Sequence, residues 1–95
     1  MRQGAGASVQ TIDRAARLLR ALADGPSEGM RLAEVTSALD LGKATAHRLL
    51  RALVDVGVVE FDATAKRYAL GYGLFALGTA ARRFHVVGLA RPALY

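Results

Sequence analysis

The stretch LDLGKATAHRLLRALVDVGVVEF, Leu39 to Phe61, changes its repeat part-way along, and that change constrains the fold more than any other feature. Ala46, Leu49, Leu50, Leu53 and Val56 recur three or four residues apart, the spacing of one face of a helix. After Gly57 the period drops to two. VVEFD (Val58–Asp62) and KRYAL (Lys66–Leu70) are rich in β-branched and aromatic residues and read as strands, with ATA as a small hairpin tip between them.

A second, short helix precedes this one, with Leu32, Val35, Thr36 and Leu39 on its apolar side and an end near Asp40. Met30 to Leu32 suits a short extended piece. The connection Asp40-Leu41-Gly42 is tight, Gly42 serves as N-cap of the third helix, and Gly57 suits the left-handed residue that closes it. Two helices joined so closely are a helix-turn-helix, and a hairpin after them makes it winged. The first helix is expected from about 9 to 23, with Val9, Ile12, Ala16, Leu19 and Ala23 as its stripe, widened by Leu18 and Leu22, and Ser8 as N-cap. DGPSEG, Asp24 to Gly29, stops it.

From Tyr72 the helical period returns and runs to about Phe84. The fold class is thus mostly α with a small β-hairpin: a three-helix core plus a wing, followed by a linker helix. Residues 1–8, rich in Gly and Ala, read as a flexible lead; 9–71 form the winged domain; 72–84 the linker; and 85–95 begin something further.

With 95 residues the chain can bury one core. Its net charge of +5 favours an anionic partner, nucleic acid ahead of a membrane surface. There is no cysteine, which excludes disulfides and thiolate metal sites. MRQGAGAS lacks the apolar core of an export signal, and the uncharged run Tyr68–Ala81 is too short for a membrane span, so a cytoplasmic location is expected.

The third helix carries its charge on the side away from the apolar stripe. Lys43, Ala44, Thr45, His47, Arg48 and Arg51 are left to face outward, and no acid occurs between Gly42 and Val54. A helix so divided fits the major groove of double-stranded DNA, which is wide enough to admit it. Arg48 suits a bidentate contact to guanine, and Thr45 a phosphate or a thymine methyl. Lys43 and Arg51 suit phosphates, and His47 either role. On the wing, Tyr68 and Leu70 give the inward alternation, and Arg67 suits the DNA backbone or minor groove. Arg14 and Arg17 of the first helix fit either phosphates or its solvated side.

Other signals carry no chemistry. GYGLFALG lacks the strand-to-helix unit of a dinucleotide site, and His47 and His85 have no metal-ligand spacing. No nucleophile has an activating context, so no enzyme activity, cofactor or metal is expected.

SVQTIDRAARLLRALAD, followed by MRLAEVTSALDLGKATAHRLLRALVDVGVVEFDATAKRYALGYGLFALG, resembles the N-terminal DNA-binding domain of IclR-type bacterial transcription regulators over about residues 8 to 80. Three positions depart from the family's habit: Gly42 stands for proline, Ala44 for serine, and Ala65 for glycine at the wing tip. The resemblance implies sequence-specific recognition of a palindromic operator by a homodimer, or by a tetramer in a longer protein. It also implies a small-molecule effector bound by a C-terminal domain that would follow residue 85. Leu74, Phe75, Leu77 and Gly78 would carry dimerisation. The competing expectation is a winged module that binds protein through an apolar face and not DNA.

Overall fold

The computed structural model describes the backbone of residues 2–84 and side chains from 9 to 82. Four helices and one hairpin follow in the order α1 (Arg2–Asp24), α2 (Leu32–Leu39), α3 (Lys43–Asp55), β1 (Val59–Asp62), β2 (Arg67–Leu70) and α4 (Tyr72–Phe84). Residues 85–95, expected to open a further domain, lie outside the described residues, as does His85.

The core forms where the stripes of three helices and the hairpin meet. Leu18, Val35, Leu50 and Val59 are fully buried, and Leu22, Met30, Leu39 and Tyr68 complete the cluster. Each helix contributes residues three or four apart: Leu18 and Leu22 from α1, Val35 and Leu39 from α2, Ala46 and Leu50 from α3. Packing of side chains from α1, α2, α3 and the hairpin fixes where the outward face of α3 points.

α1 departs from expectation at its start. It begins at Arg2, so residues 2–8, read as a flexible lead, are helical and Ser8 lies inside the helix, not at its cap. Glycines at 4 and 6 disfavour helix, but extending an existing helix costs far less than starting one, and Ala5 and Ala7 favour it. The stripe also reaches beyond the core. At about 1.5 Å per residue α1 is roughly three times as long as α2, which it packs against. Leu18 and Leu22 are buried, whereas Val9 and Ile12 stay largely exposed.

The wing pairs antiparallel, Val59 opposite Leu70 and Phe61 opposite Tyr68. Met30 adds a one-residue third strand, its N–H donating to Tyr68 O at 2.8 Å and its O accepting from Tyr68 N–H at 2.7 Å. One face of the hairpin therefore grades from core to solvent. Tyr68 is buried and Phe61 stacks on it at 4.6 Å between centroids, while Leu70, expected inward, is exposed.

The left-handed residues are not all glycine. Gly57 (φ 86°) closes α3 as expected, but at the wing tip the left-handed position is Lys66 (φ 58°) and not Ala65. Asp62 shapes this tip by accepting from the N–H groups of Thr64 and Ala65 at 2.9 and 3.2 Å. Such an Asx turn supplies locally the hydrogen bonds that a strained position needs. Asp40, in the turn between α2 and α3, is also left-handed (φ 55°).

Among the described residues, the hydrogen bonds that tie α4 to the hairpin lie at its start. Gly73 donates to Gly57 O at 3.0 Å, and a Cβ on Gly73 would lie 2.5 Å from that oxygen, so only glycine permits the contact. Glu60 accepts from Tyr72 N–H at 3.1 Å, placing a negative charge at the positive end of α4. Beyond that turn Phe75 and Leu77 project into solvent.

Candidate nucleic-acid interface

α3 is held from beneath by Ala46 and Leu50, with Leu49, Leu53 and Val54 half-buried beside them. At 100° per residue, that anchoring leaves Ala44, Arg48 and Arg51 along the middle of the outward face. His47 and Lys43 fall on one flank, and Thr45 on the other. Lys43, Ala44, His47, Arg48 and Arg51 are all exposed, while Thr45 is half-buried. The six residues singled out on this helix therefore share one surface.

Each flank opens into a shallow groove. On one side Thr45, Arg48, Leu49 and Ala52 meet Thr11 and Arg14 of α1. Arg14 thus joins the α3 face, and it also borders a narrow cleft that Arg17 forms with Leu39 and Leu41. On the other side Lys43 meets Arg31 at the entry to α2 and Lys66 at the wing tip. Arg31 was not singled out by sequence reasoning. It immediately precedes the second helix, a position that hinted at exposure but not at the neighbours it finds.

Arg67 behaves differently from the other cations. Its guanidinium turns inward, donating to Gly29 O at 3.0 Å and lying 3.9 Å from Glu34 Oε1. The same carboxylate accepts from Arg31 N–H at 2.8 Å, closing the first turn of α2. A guanidinium has no acceptor, so Arg31 cannot return that bond and its side chain is left for solvent. Arg67 and Glu34 together clasp the wing to α2. Theirs is the single ion pair among the described residues with placed side chains.

Arg14, Arg31, Lys43, Arg48, Arg51 and Lys66 consequently form a band of positive charge across α3 with no carboxylate paired to it. Asp55, the first acid after Gly42, stands at the last turn. Among the described residues no group of three His, Cys, Asp or Glu could hold a metal, and no helix is long and apolar enough to cross a membrane.

Comparison with known protein families matches residues 11–63 to the IclR helix-turn-helix domain, the span from α1 through β1. The chain is 44% identical over 72 residues to the glycerol operon regulatory protein of Streptomyces coelicolor, covering 76% of this chain and 28% of that protein. It is 36% identical over 87 residues to the HTH-type transcriptional regulator BhcR of Paracoccus denitrificans, covering 90% of this chain and 30% of BhcR. The crystal structure of an IclR transcriptional regulator from Alicyclobacillus acidocaldarius superposes with a TM-score of 0.72 at 33% identity, over 76% of this chain and 29% of that one. The chain thus spans less than a third of the length of the relatives it matches. A winged helix-turn-helix with its outward helix unbalanced in charge, matched from α1 into the wing, belongs to the IclR helix-turn-helix family.

Proposed function

We propose that this domain is the sequence-specific DNA-binding part of a bacterial transcription regulator, with α3 in the major groove and the wing beside it. The observation that carries this reading is the outward face of α3, where every cation lacks a carboxylate partner while the opposite face is sunk in the core. The glycerol operon regulators and BhcR, which share this segment, support transcription regulation as the process.

The roles divide by reach. Arg48 presents a planar fork to guanine and discriminates between sequences. Thr45 beside it touches a phosphate or a thymine methyl, the methyl of Ala44 lines the middle of the face, and the ring of His47 reaches a base or a phosphate from its flank. Lys43, Arg51 and, from α1, Arg14 hold phosphates and set the orientation of the domain. Arg67 serves the wing from within by fixing it to α2.

The domain acts as a two-fold dimer on a palindromic operator. Phe75 and Leu77 of α4 stand 66% and 61% exposed, as do Ile12 and Val9 of α1 at 69% and 66%, more apolar surface than one domain covers. Leu74, Phe75, Leu77 and Gly78 form the helix face that meets its copy. In the longer protein a C-terminal domain binds a small-molecule effector and can pair dimers into tetramers; the protein works in the cytoplasm, where its DNA is.

The deciding experiment is a mobility-shift titration. A mixed-sequence duplex should be retarded at low salt, the shift should fade as salt rises, and selection from random duplexes should enrich a palindrome. No retardation at any salt would leave the positive face merely solvated.

A further inference from the structure

The wing-side groove beside α3 encloses about 590 Å³ and is lined by Arg31, Lys43, Thr64, Ala65 and Lys66, together with the α2 side chains below them. Three separate parts of the chain meet there: the entry to α2, the first residue of α3 and the wing tip. All three cations are exposed, none has a carboxylate partner, and no acid lines the groove. The acids close by in sequence are committed elsewhere. Glu34 binds Arg31 N–H and Arg67 and lines the opposite side of α2. One oxygen of the Asp62 carboxylate is taken up by the N–H groups of Thr64 and Ala65. The Thr64 hydroxyl has no partner among the described residues and adds a neutral donor.

Like charges gathered around one concavity repel one another until an anion enters. The mounts of these donors are also fixed beforehand. Arg31 is pinned through its N–H to Glu34, and Lys66 sits on a tip whose backbone N–H donates to Asp62 O at 2.6 Å. Arg67 clasps the wing to the loop before α2, holding the two rims of the groove together. We infer that this groove seats the sugar-phosphate backbone of DNA next to the segment entered by α3, with Arg31 and Lys66 as phosphate-contacting residues alongside Lys43. The ligand class is a phosphodiester and carries no base information. The inference rests on the DNA-binding reading above and adds to it a second strand contact, built by residues outside α3. Lys66 and not Arg67 is then the cation through which the wing touches DNA.

The test compares the full chain with Arg31→Ala, Lys66→Gly and a remote control, Arg20→Ala, on a selected duplex and on a scrambled one. Lys66→Gly removes the charge while suiting the left-handed backbone, so lost binding cannot come from a damaged turn. Each groove variant should lower the slope of log affinity against log salt by about 0.9, the share of one phosphate, and weaken both duplexes by the same factor. Arg20→Ala should leave the slope unchanged, and Arg31→Lys should restore it. Neutral methylphosphonate linkages placed one at a time along the flank should include one that weakens the unaltered chain but not Arg31→Ala. Unchanged slopes in Arg31→Ala and Lys66→Gly, beside a lowered slope in Lys43→Ala, would overturn the groove as a phosphate seat and leave DNA binding standing. Failure of the unaltered chain to bind any duplex would remove both. Inorganic phosphate at millimolar concentration displacing duplex from the unaltered chain, but not from Arg31→Ala, would make the groove a free-anion site and overturn the backbone assignment.

Discussion

α3 and α4 are both helices of 13 residues with an apolar stripe, and they have opposite fates. α3 sinks its stripe into the core and turns Lys43, His47, Arg48 and Arg51 outward. α4 is fastened at its first turn and leaves Tyr72, Phe75 and Leu77 in solvent. On the reading proposed above, the difference suits each helix to a different partner. A polyanion is met by unpaired cations on a rigid mount, whereas another protein chain is met by apolar side chains with small residues such as Gly78 between them. On that reading one domain carries two interfaces of different chemistry, and substitutions should separate them.

The largest effect tests the mount. Leu50 is fully buried beneath the cationic face, so Leu50→Ala should cost about 2–5 kcal/mol of stability, from lost transfer energy and the cavity left behind. Thermal unfolding followed by circular dichroism measures it. A Leu50→Ala variant that melts with the unaltered chain would mean that α3 is not held as described.

On α4 the expected change is in association and not in folding. Phe75→Glu replaces an exposed ring by a charge, so the melting temperature of the domain should barely move. If the ring is buried between two copies, dimerisation should weaken by about 1.5–3 kcal/mol or more, read by sedimentation equilibrium of this chain and of the longer protein. A strict monomer at high micromolar concentration in both forms of the unaltered protein would break the comparison on this side.

Arg48→Ala and its neighbours sharpen the other side. Loss of a bidentate base contact should cost roughly 1–3 kcal/mol on the selected duplex and little on a scrambled one. Lys43→Ala and Arg51→Ala should weaken both equally, each lowering the salt slope by about 0.9. Thr45→Ala should fall between them, and more heavily than usual because Ala44 offers no neighbouring hydroxyl as a substitute. The opposite pattern, with Arg48→Ala uniform and Lys43→Ala selective, would reverse the roles on this face.

The division between these helices was legible in the sequence because it follows from periodicity. The stripe of α3, its charged complement, the switch of period at Gly57 and the left-handed Gly57 all depend on residues near in the chain. What could not be read locally were choices between neighbours alike in type. Lys66 and Arg67 are adjacent and both basic, yet one projects from the tip while the other reaches Gly29, 38 residues away in sequence. That outcome depends on Met30 pairing with Tyr68, a contact no local pattern announces. Arg31 joined the α3 face for the same reason, once α2 and the wing had come together. Val9 and Ile12 had the spacing of core residues and lacked only something to pack against, which a repeat alone cannot reveal.

The smallest effect concerns the turn that joins the two helices of the motif. Asp40 is left-handed at φ 55°, ψ 48°, with its N–H donating to Thr36 O at the C-terminus of α2. Two costs coincide there. An L-residue crowds its own carbonyl in this conformation, aspartate less than most, and a carboxylate at a helix C-terminus faces the negative end of the dipole. Asp40→Gly removes both, offset by the greater freedom of glycine in the unfolded chain, so the net gain should be a few tenths to about 1 kcal/mol. In a domain of this size that raises the melting temperature by a few degrees, at about 4–8 °C per kcal/mol. Because Asp40 has no hydrogen bond or ion pair to the α3 face, the ratio of selected to scrambled affinity should stay constant. Losing a negative charge next to that face can only raise both affinities together. A lower melting temperature for Asp40→Gly would show that the aspartate makes a stabilising contact in solution, and a changed ratio would show that the turn itself helps to place Arg48.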